Sequence, residues 1–261
     1  MEQKLDYDRV AGGYNRRYNA NPHSGTAQVL VELVKQQNLT RILEVGCGTG
    51  QWLRTLSSTT ARVVGLDSSL GMLEQACQLE PAAQLVRGRA EQLPFQGNLF
   101  DLVFCANAIH HFNDPIRFIT ETYRVLRPGG ILAVIGMSPP QSRNQWYLYE
   151  YFKEAYTGDQ RRYPAWNGLA HWLQAAGFEK TSGQPVELIT HEWTGREVLD
   201  DPFLKKDSTS QLTMLTESQY AHGLEKLEAA LTAAEAAGEE IRFGVHIEMR
   251  MLTGRKPDTG L

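Results

Sequence analysis

"RILEVGCGTGQWLRTL" (residues 41–56) joins an apolar run, a glycine-spaced loop and the opening of a helix. Residues 41–45 read as a buried strand, and the stretch from Gly50 to Leu56 starts a helix. Between them Gly46, Gly48 and Gly50 stand at alternate positions, as required where backbone passes close to a ligand or takes positive φ. A dinucleotide fingerprint needs its third glycine one position later, where this chain has Gln51. Charge separates the possibilities further. A loop that holds pyrophosphate offers bare N–H groups at a helix N-terminus, and Glu44, two residues ahead of Gly46, raises the cost of bringing an anion there. A cationic ligand removes the conflict.

Outward from this loop, strand and helix patterns alternate at short spacing through residue 137. Strands are expected at 62–67, 84–88, 100–105 and 130–137. The helix at 69–79 takes Ser68 or Ser69 as its cap; the helix at 114–126 has Asp114 as N-cap, Pro115 in its first turn and "RPGG" (127–130) to end it. Apolar runs separated by helices specify a doubly wound α/β fold with a mostly parallel sheet of right-handed βαβ units. Ligands in such sheets bind at the carboxyl ends of the strands, so the loops after residues 45, 67, 88 and 105 should converge on one pocket. Asp67 ends the second strand, 17 residues beyond Gly50, where an acid can accept hydrogen bonds from both hydroxyls of a ribose. A nucleoside that bears positive charge and no phosphate satisfies Glu44 and Asp67 together. S-adenosyl-L-methionine is therefore the expected ligand, and S-adenosyl-L-homocysteine its product.

"ILEVGCGTG", "VVGLDSSLGML", "AEQLPFQGNLFDLVFCANAIHHF" and "VLRPGG" resemble, in order, the motifs of class I S-adenosylmethionine-dependent methyltransferases. The resemblance is strongest to the type 11 group that includes ubiquinone and menaquinone biosynthesis C-methyltransferases. It covers roughly residues 40–137, and "YDRVAGGYN" near the N-terminus resembles that group's opening helix. It implies a Rossmann-like seven-stranded sheet in the order 3-2-1-4-5-7-6, the last strand antiparallel, with helices on both faces and a helical cover. Carried over by position, Gly46, Gly48 and Gly50 pass along the methionyl part of the cofactor while Glu44 orients the loop and balances the ammonium group. Asp67 takes the ribose hydroxyls, Ser68 and Met72 flank the adenine, Ala90 and Glu91 lie at its edge, and Asn107 contacts the methionyl end. The group often places an Asp before the Ala-Glu pair; this chain has Arg89, which leaves the adenine amino group to backbone or to Glu91.

Tyr7, Tyr14 and Tyr18 share a face at helical spacing, interrupted by Gly12-Gly13, the pattern of a lid with Tyr14 over the methionyl group or of a docked terminal helix. His110 and His111, at the rim after the fourth strand, are candidate catalytic bases, or else capping and packing residues. Residues 146–166 hold eight aromatics in 21 residues, enough for an acceptor pocket or for fastening a cover helix. Arg161-Arg162 reads as a solvated turn, with recognition of an acidic acceptor as the alternative. Further on, strands are expected at 185–193 and 241–252 and helices at 167–178 and 216–238; Leu224, Leu227 and Leu231 form a core stripe or a dimer face. The chain is read as one domain: lid helices 1–40, cofactor core 41–137, helical cover and acceptor side 138–240, and final strand 241–254.

Composition narrows the function classes. A net charge of -4 argues against a broad grip on nucleic acid. Cys47, Cys77 and Cys105 are dispersed, so neither a metal site nor a disulfide framework is expected, and a reducing, cytoplasmic setting fits. No stretch has the length of a membrane span, and the first ten residues lack an apolar signal core. The expected partner is a small-molecule acceptor, its methylated atom (oxygen, nitrogen or carbon) unspecified, and the protein a monomer or homodimer. Two other classes stay open at this point: a non-catalytic S-adenosylmethionine binder and an NAD(P)-dependent oxidoreductase.

Overall fold

The computed structural model describes residues 7–11, 23–59, 61–139 and 145–258. Its strands are β1 (Arg41–Val45), β2 (Arg62–Asp67), β3 (Gln84–Arg87), β4 (Phe100–Ala106), β5 (Leu126–Gly136), β6 (Gln145–Trp146), β7 (Glu179–Thr194) and β8 (Arg242–Arg255). Helices α1 (Tyr7–Val10), α2 (Ser24–Gln36), α3 (Gln51–Leu56), α4 (Leu70–Leu79) and α5 (Pro115–Val125) precede β5. The helices α6 (Tyr147–Tyr151), α7 (Lys153–Arg162), α8 (Trp166–Ala175), α9 (Ser210–Thr213) and α10 (Glu217–Ala237) follow it.

The first five strands are parallel in the order β3-β2-β1-β4-β5. β8 then lies antiparallel to β5, and β7 pairs antiparallel with β8 at the far edge. This is the order expected for the seven main strands, the C-terminal strand being inserted between the fifth and the sixth. The two-residue β6 pairs with β8 beyond the end of β5.

Side chains alternate across the sheet, and each face has its own core. Leu43, Val45, Val103, Cys105, Leu132 and Val134 pack with Phe118 and Ile119 of α5 and Leu169 and Leu173 of α8. Ile42, Leu102, Phe104, Ile131, Ala133 and Ile135 pack with Leu30 and Val34 of α2 and Trp52 and Leu56 of α3. Each such side chain contributes roughly 1.5–3 kcal/mol on burial, so β1 and β4, covered on both faces, anchor the sheet, whereas β7 is exposed along much of its length. Glu44 takes the next position after Ile42 on the α2–α3 face. Strand pleating thus drives a carboxylate into the protein at the mouth of the glycine loop.

The caps follow the sequence. Ser69 accepts from the Met72 N–H, Asp114 from Arg117 with Pro115 behind it, and Thr216 forms a capping box with Gln219 while Gly238 ends α10 in the left-handed region. Three expectations need correction. β5 begins at Leu126, not at 130, because Leu126 already pairs with Phe100 and "RPGG" bulges out before Ile131 meets Leu102. β7 spans 16 residues where 185–193 was expected, since β8 pairs with it along nearly its whole length. The aromatic stretch 143–166, which reads in sequence as a helix and a loop, is over its described residues a short strand and two helices broken at Phe152, whose fully buried ring interrupts helical backbone at φ -114°.

The cover forms a further cluster in which Trp146, Tyr147, Leu148 and Phe152 meet Leu227 and Leu231 of α10 and Phe243, Ile247 and Met249 of β8. The leucine stripe of α10 is therefore core. Among the described residues, no helix is long and apolar enough to cross a membrane.

Candidate active site

The carboxyl ends of β1, β2 and β4 and the loop after β3 enclose a cleft of about 300 Å³. Glu44, Gly46, Gly48, Asp67, Ser68, Met72, Ala90, Glu91, Asn107 and His111 all line it. Gly50 instead caps α3 at φ +83°, where a side chain would start 3.0 Å from the Ala76 Cβ. Tyr14 lies outside the described residues, as do Tyr18 and Gly12-Gly13. Tyr7 of α1 is at the cleft wall, and Asp8 beside it accepts the Ser69 hydroxyl at 2.6 Å and the Gly71 N–H at 2.8 Å. These hydrogen bonds hold the Asp8 carboxyl below its ordinary range and dock α1 on the start of α4.

The glycine loop has φ of +75°, +52° and +83° at Gly46, Gly48 and Gly50. A Cβ on Gly46 would fall 2.6 Å from that of Ala108, so the loop threads a gap with no room for a side chain. Gly46 and Cys47 both donate to the Leu66 carbonyl, at 2.7 and 3.1 Å. Asp67 accepts from the Gly48 N–H at 2.9 Å on one oxygen and from the Ser69 N–H at 2.9 Å on the other. Burial raises its pKa more than these N–H groups lower it. Each oxygen retains capacity for another donor.

Glu44 is fully buried, and neither of its carboxylate oxygens has a hydrogen-bond partner among the described residues. Desolvation, with the nearby Asp67 charge adding to it, lifts its pKa well above the usual carboxylate range. An unpaired buried carboxylate costs several kcal/mol, and a bound cation offsets that cost. This orphaned pair of oxygens fits an ammonium-bearing ligand and does not fit a phosphate.

Glu91 reaches the cleft with its oxygens engaged. One accepts from the Asn113 N–H at 2.7 Å, and the other pairs with Arg89 at 3.3 Å. It clasps the loop after β3 to the loop before α5.

At the other end of the cleft, Asn107 adopts φ +53° and donates its N–H to the Ile135 carbonyl at 2.9 Å. His111 Nε2 lies 2.5 Å from the Tyr7 hydroxyl, a hydrogen bond whose direction follows the imidazole tautomer. His110, almost fully buried, stacks on Tyr163 with ring centroids 3.8 Å apart. Both histidines, with Asn107, line a second chamber under the cover.

Some residues of this region carry no local sequence signal. Tyr163, Gln211 and Asp159 are joined by hydrogen bonds across about fifty residues of chain. Arg162 is not the solvated turn residue expected: it is largely buried and ion-paired with Asp159 at 2.6 Å. Only the aromatic density of 146–166 hinted that this segment faced the site.

Residues 43–134 match the family described as a methyltransferase domain. The chain is 28% identical over 208 residues to the demethylmenaquinone methyltransferase of Lactiplantibacillus plantarum, which covers 68% of this chain and 88% of that protein. Its fold overlays a protein of Anabaena variabilis provisionally designated a methyltransferase of an antibiotic biosynthesis pathway. That match has a TM-score of 0.67 and 21% identity over 87% of this chain and 96% of that one. A phosphoethanolamine N-methyltransferase of Haemonchus contortus, solved with S-adenosylhomocysteine, overlays with a TM-score of 0.52 and 21% identity over 84% of this chain and 49% of its own. The segment matched to the methyltransferase domain, residues 43–134, spans the glycine loop, Asp67 and Asn107.

Proposed function

We propose that the protein transfers a methyl group to a small-molecule acceptor from S-adenosyl-L-methionine seated in the cleft, through one domain whose cover over residues 138–240 forms the acceptor side. The buried Glu44 carboxylate, without a hydrogen-bond partner among the described residues, carries this reading, because a cationic ligand offsets its desolvation. When bound, S-adenosyl-L-methionine supplies a methyl group on a sulfonium, and the carbon–sulfur bonding pair stays on sulfur as the acceptor's lone pair takes the methyl.

Glu44 holds the ligand's ammonium group, and the backbone of Gly46 and Gly48 runs beside the methionyl chain. Gly50 keeps α3 clear of it. Asp67 accepts the ribose hydroxyls with the capacity its two backbone donors leave. Ser68 and Met72 flank the adenine. Ala90 offers backbone at the adenine edge, while the engagement of Glu91 with Asn113 and Arg89 makes it a clasp. Asn107 fixes the methionyl end. His111, shared by the cleft and the chamber, takes the proton of an O–H or N–H acceptor, and His110 positions it from the Tyr163 stack. The protein's main contribution is alignment, worth about 7–11 kcal/mol when reacting atoms are well oriented.

Calorimetry on cofactor-stripped protein tests the reading. Uptake of S-adenosyl-L-methionine and S-adenosyl-L-homocysteine but not NADH is expected. Failure to take up either adenosyl compound would overturn it.

A further inference from the structure

Beyond Asn107 and His111 the cleft meets a chamber of about 120 Å³. Met137, Trp146, Ile189, Phe203, Ile247 and Met249 give it apolar walls. His110, His111, Ser210 and Gln211 are among its polar groups, and the described residues that line it include no Asp, Glu, Lys or Arg. A cavity of about 150 Å³ accommodates benzene, so the chamber has the size of a single ring. A charged head group would surrender its water there without meeting an opposite charge.

One polar group is locked in orientation. Gln211 is buried, and its Nε2 donates to Asp159 Oδ2 at 3.0 Å and to the Tyr163 hydroxyl at 3.1 Å. Asp159 is itself buried, and its other oxygen is bound by Arg162. A carboxylate only accepts, so turning the amide over would set its carbonyl against Asp159. Gln211 Oε1 is thereby fixed as an acceptor, with the Ser210 hydroxyl 3.4 Å away.

Resting on the methyltransferase reading, we propose that this chamber receives the reacting head of the acceptor, a neutral single ring carrying a hydroxyl or N–H donor that the Gln211 carbonyl reads. Gln211 is the specificity-determining residue, and Asp159 positions it. The reacting atom faces the cleft at Asn107 and His111. Ring substituents pass into the open groove of about 770 Å³ that adjoins the chamber at His110, His111, Tyr163 and Gln211.

The test uses full-length protein saturated with S-adenosyl-L-homocysteine and titrated with phenol, anisole, benzoate and benzylammonium, binding being read by calorimetry and thermal shift. Phenol is expected to bind about tenfold or more tightly than anisole, which lacks the donor, and than either ion. In Gln211→Met, phenol and anisole converge to within about twofold while S-adenosyl-L-homocysteine affinity is kept. Should that variant not fold, the wild-type ranking decides alone. Benzoate or benzylammonium binding as tightly as phenol, anisole matching phenol, or no probe binding to the loaded protein overturns the proposal. Absence of S-adenosyl-L-homocysteine uptake instead removes the reading beneath it, which separates the two failures.

Discussion

The Gly48 N–H donates to Asp67 Oδ2 at 2.9 Å, so the acid that ends β2 also holds the glycine loop that ends β1. Ribose recognition and loop geometry therefore rest on one side chain. Asp67→Ala loses both and is expected to weaken S-adenosyl-L-homocysteine binding by about 10–100-fold, the worth of a hydrogen bond to a charged group. Asp67→Asn does not rescue it, because the new NH₂ must face either the Gly48 or the Ser69 N–H. Isothermal titration of both variants checks this; wild-type affinity in Asp67→Asn would separate the loop from the acid.

Glu44 predicts opposite effects on stability and on binding. Its folded-state pKa is raised, so its contribution to stability is present below the ordinary carboxylate pKa and is lost as pH rises through the folded value. Glu44→Gln removes that loss and is expected to stabilise the ligand-free protein by about 1–3 kcal/mol at neutral and higher pH. A ligand ammonium group favours the ionised form, so cofactor uptake by the wild type releases a proton in the window between the free and bound pKa values. Titration in buffers of different ionisation enthalpy measures that proton. Glu44→Gln should abolish it and weaken uptake about tenfold or more.

How much of this was legible in the sequence depends on the range of the interaction that decides each feature. The strand–glycine–helix unit, the Asp114-Pro115 cap and the Thr216–Gln219 box are written within a few residues, and periodicity sufficed to find them. Asp67 was found because strand length and sheet topology fix where β2 ends. By contrast, the break at Phe152, the burial of Arg162 and the locked amide of Gln211 depend on partners about fifty or more residues away. Arg161 and Arg162 look alike in sequence. Only Arg162 meets Asp159 and Ser210 from inside.

The Tyr7–His111 contact leads to a kinetic prediction. His111 belongs to both the cleft and the chamber, and Tyr7 reaches it from the helix that Asp8 docks on α4. His111→Ala should lower kcat by about 10²–10⁴-fold with an O–H or N–H acceptor, the range for loss of a general base. S-adenosyl-L-homocysteine affinity should change far less. Tyr7→Phe keeps the ring and removes the hydrogen bond, so a smaller loss is expected, confined mainly to kcat. Equal losses of kcat and cofactor affinity in His111→Ala would show that the imidazole supports the cleft and does not take the proton.

Gly223 allows the cover to close. It sits on the buried side of α10, where an added Cβ would lie 2.2 Å from the ring of Phe152, the residue that breaks α6 from α7. Alanine is ordinarily the better helix former by about 1 kcal/mol, so a surface glycine replaced this way would gain stability. Here the overlap is with a fully buried ring that has no room to turn, and overpacking costs about 1–3 kcal/mol or more. The steric cost exceeds the propensity gain, and Gly223→Ala is expected to lower Tm. Gly158, half-buried on α7 with open space around its Cβ position, is the control. Gly158→Ala should raise Tm slightly. Because Phe152 packs within the cluster that contains Trp146, Ile247 and Met249, Gly223→Ala should also disturb acceptor KM while leaving S-adenosyl-L-homocysteine affinity unchanged, the cofactor cleft lying on the far side of β5 from that cluster.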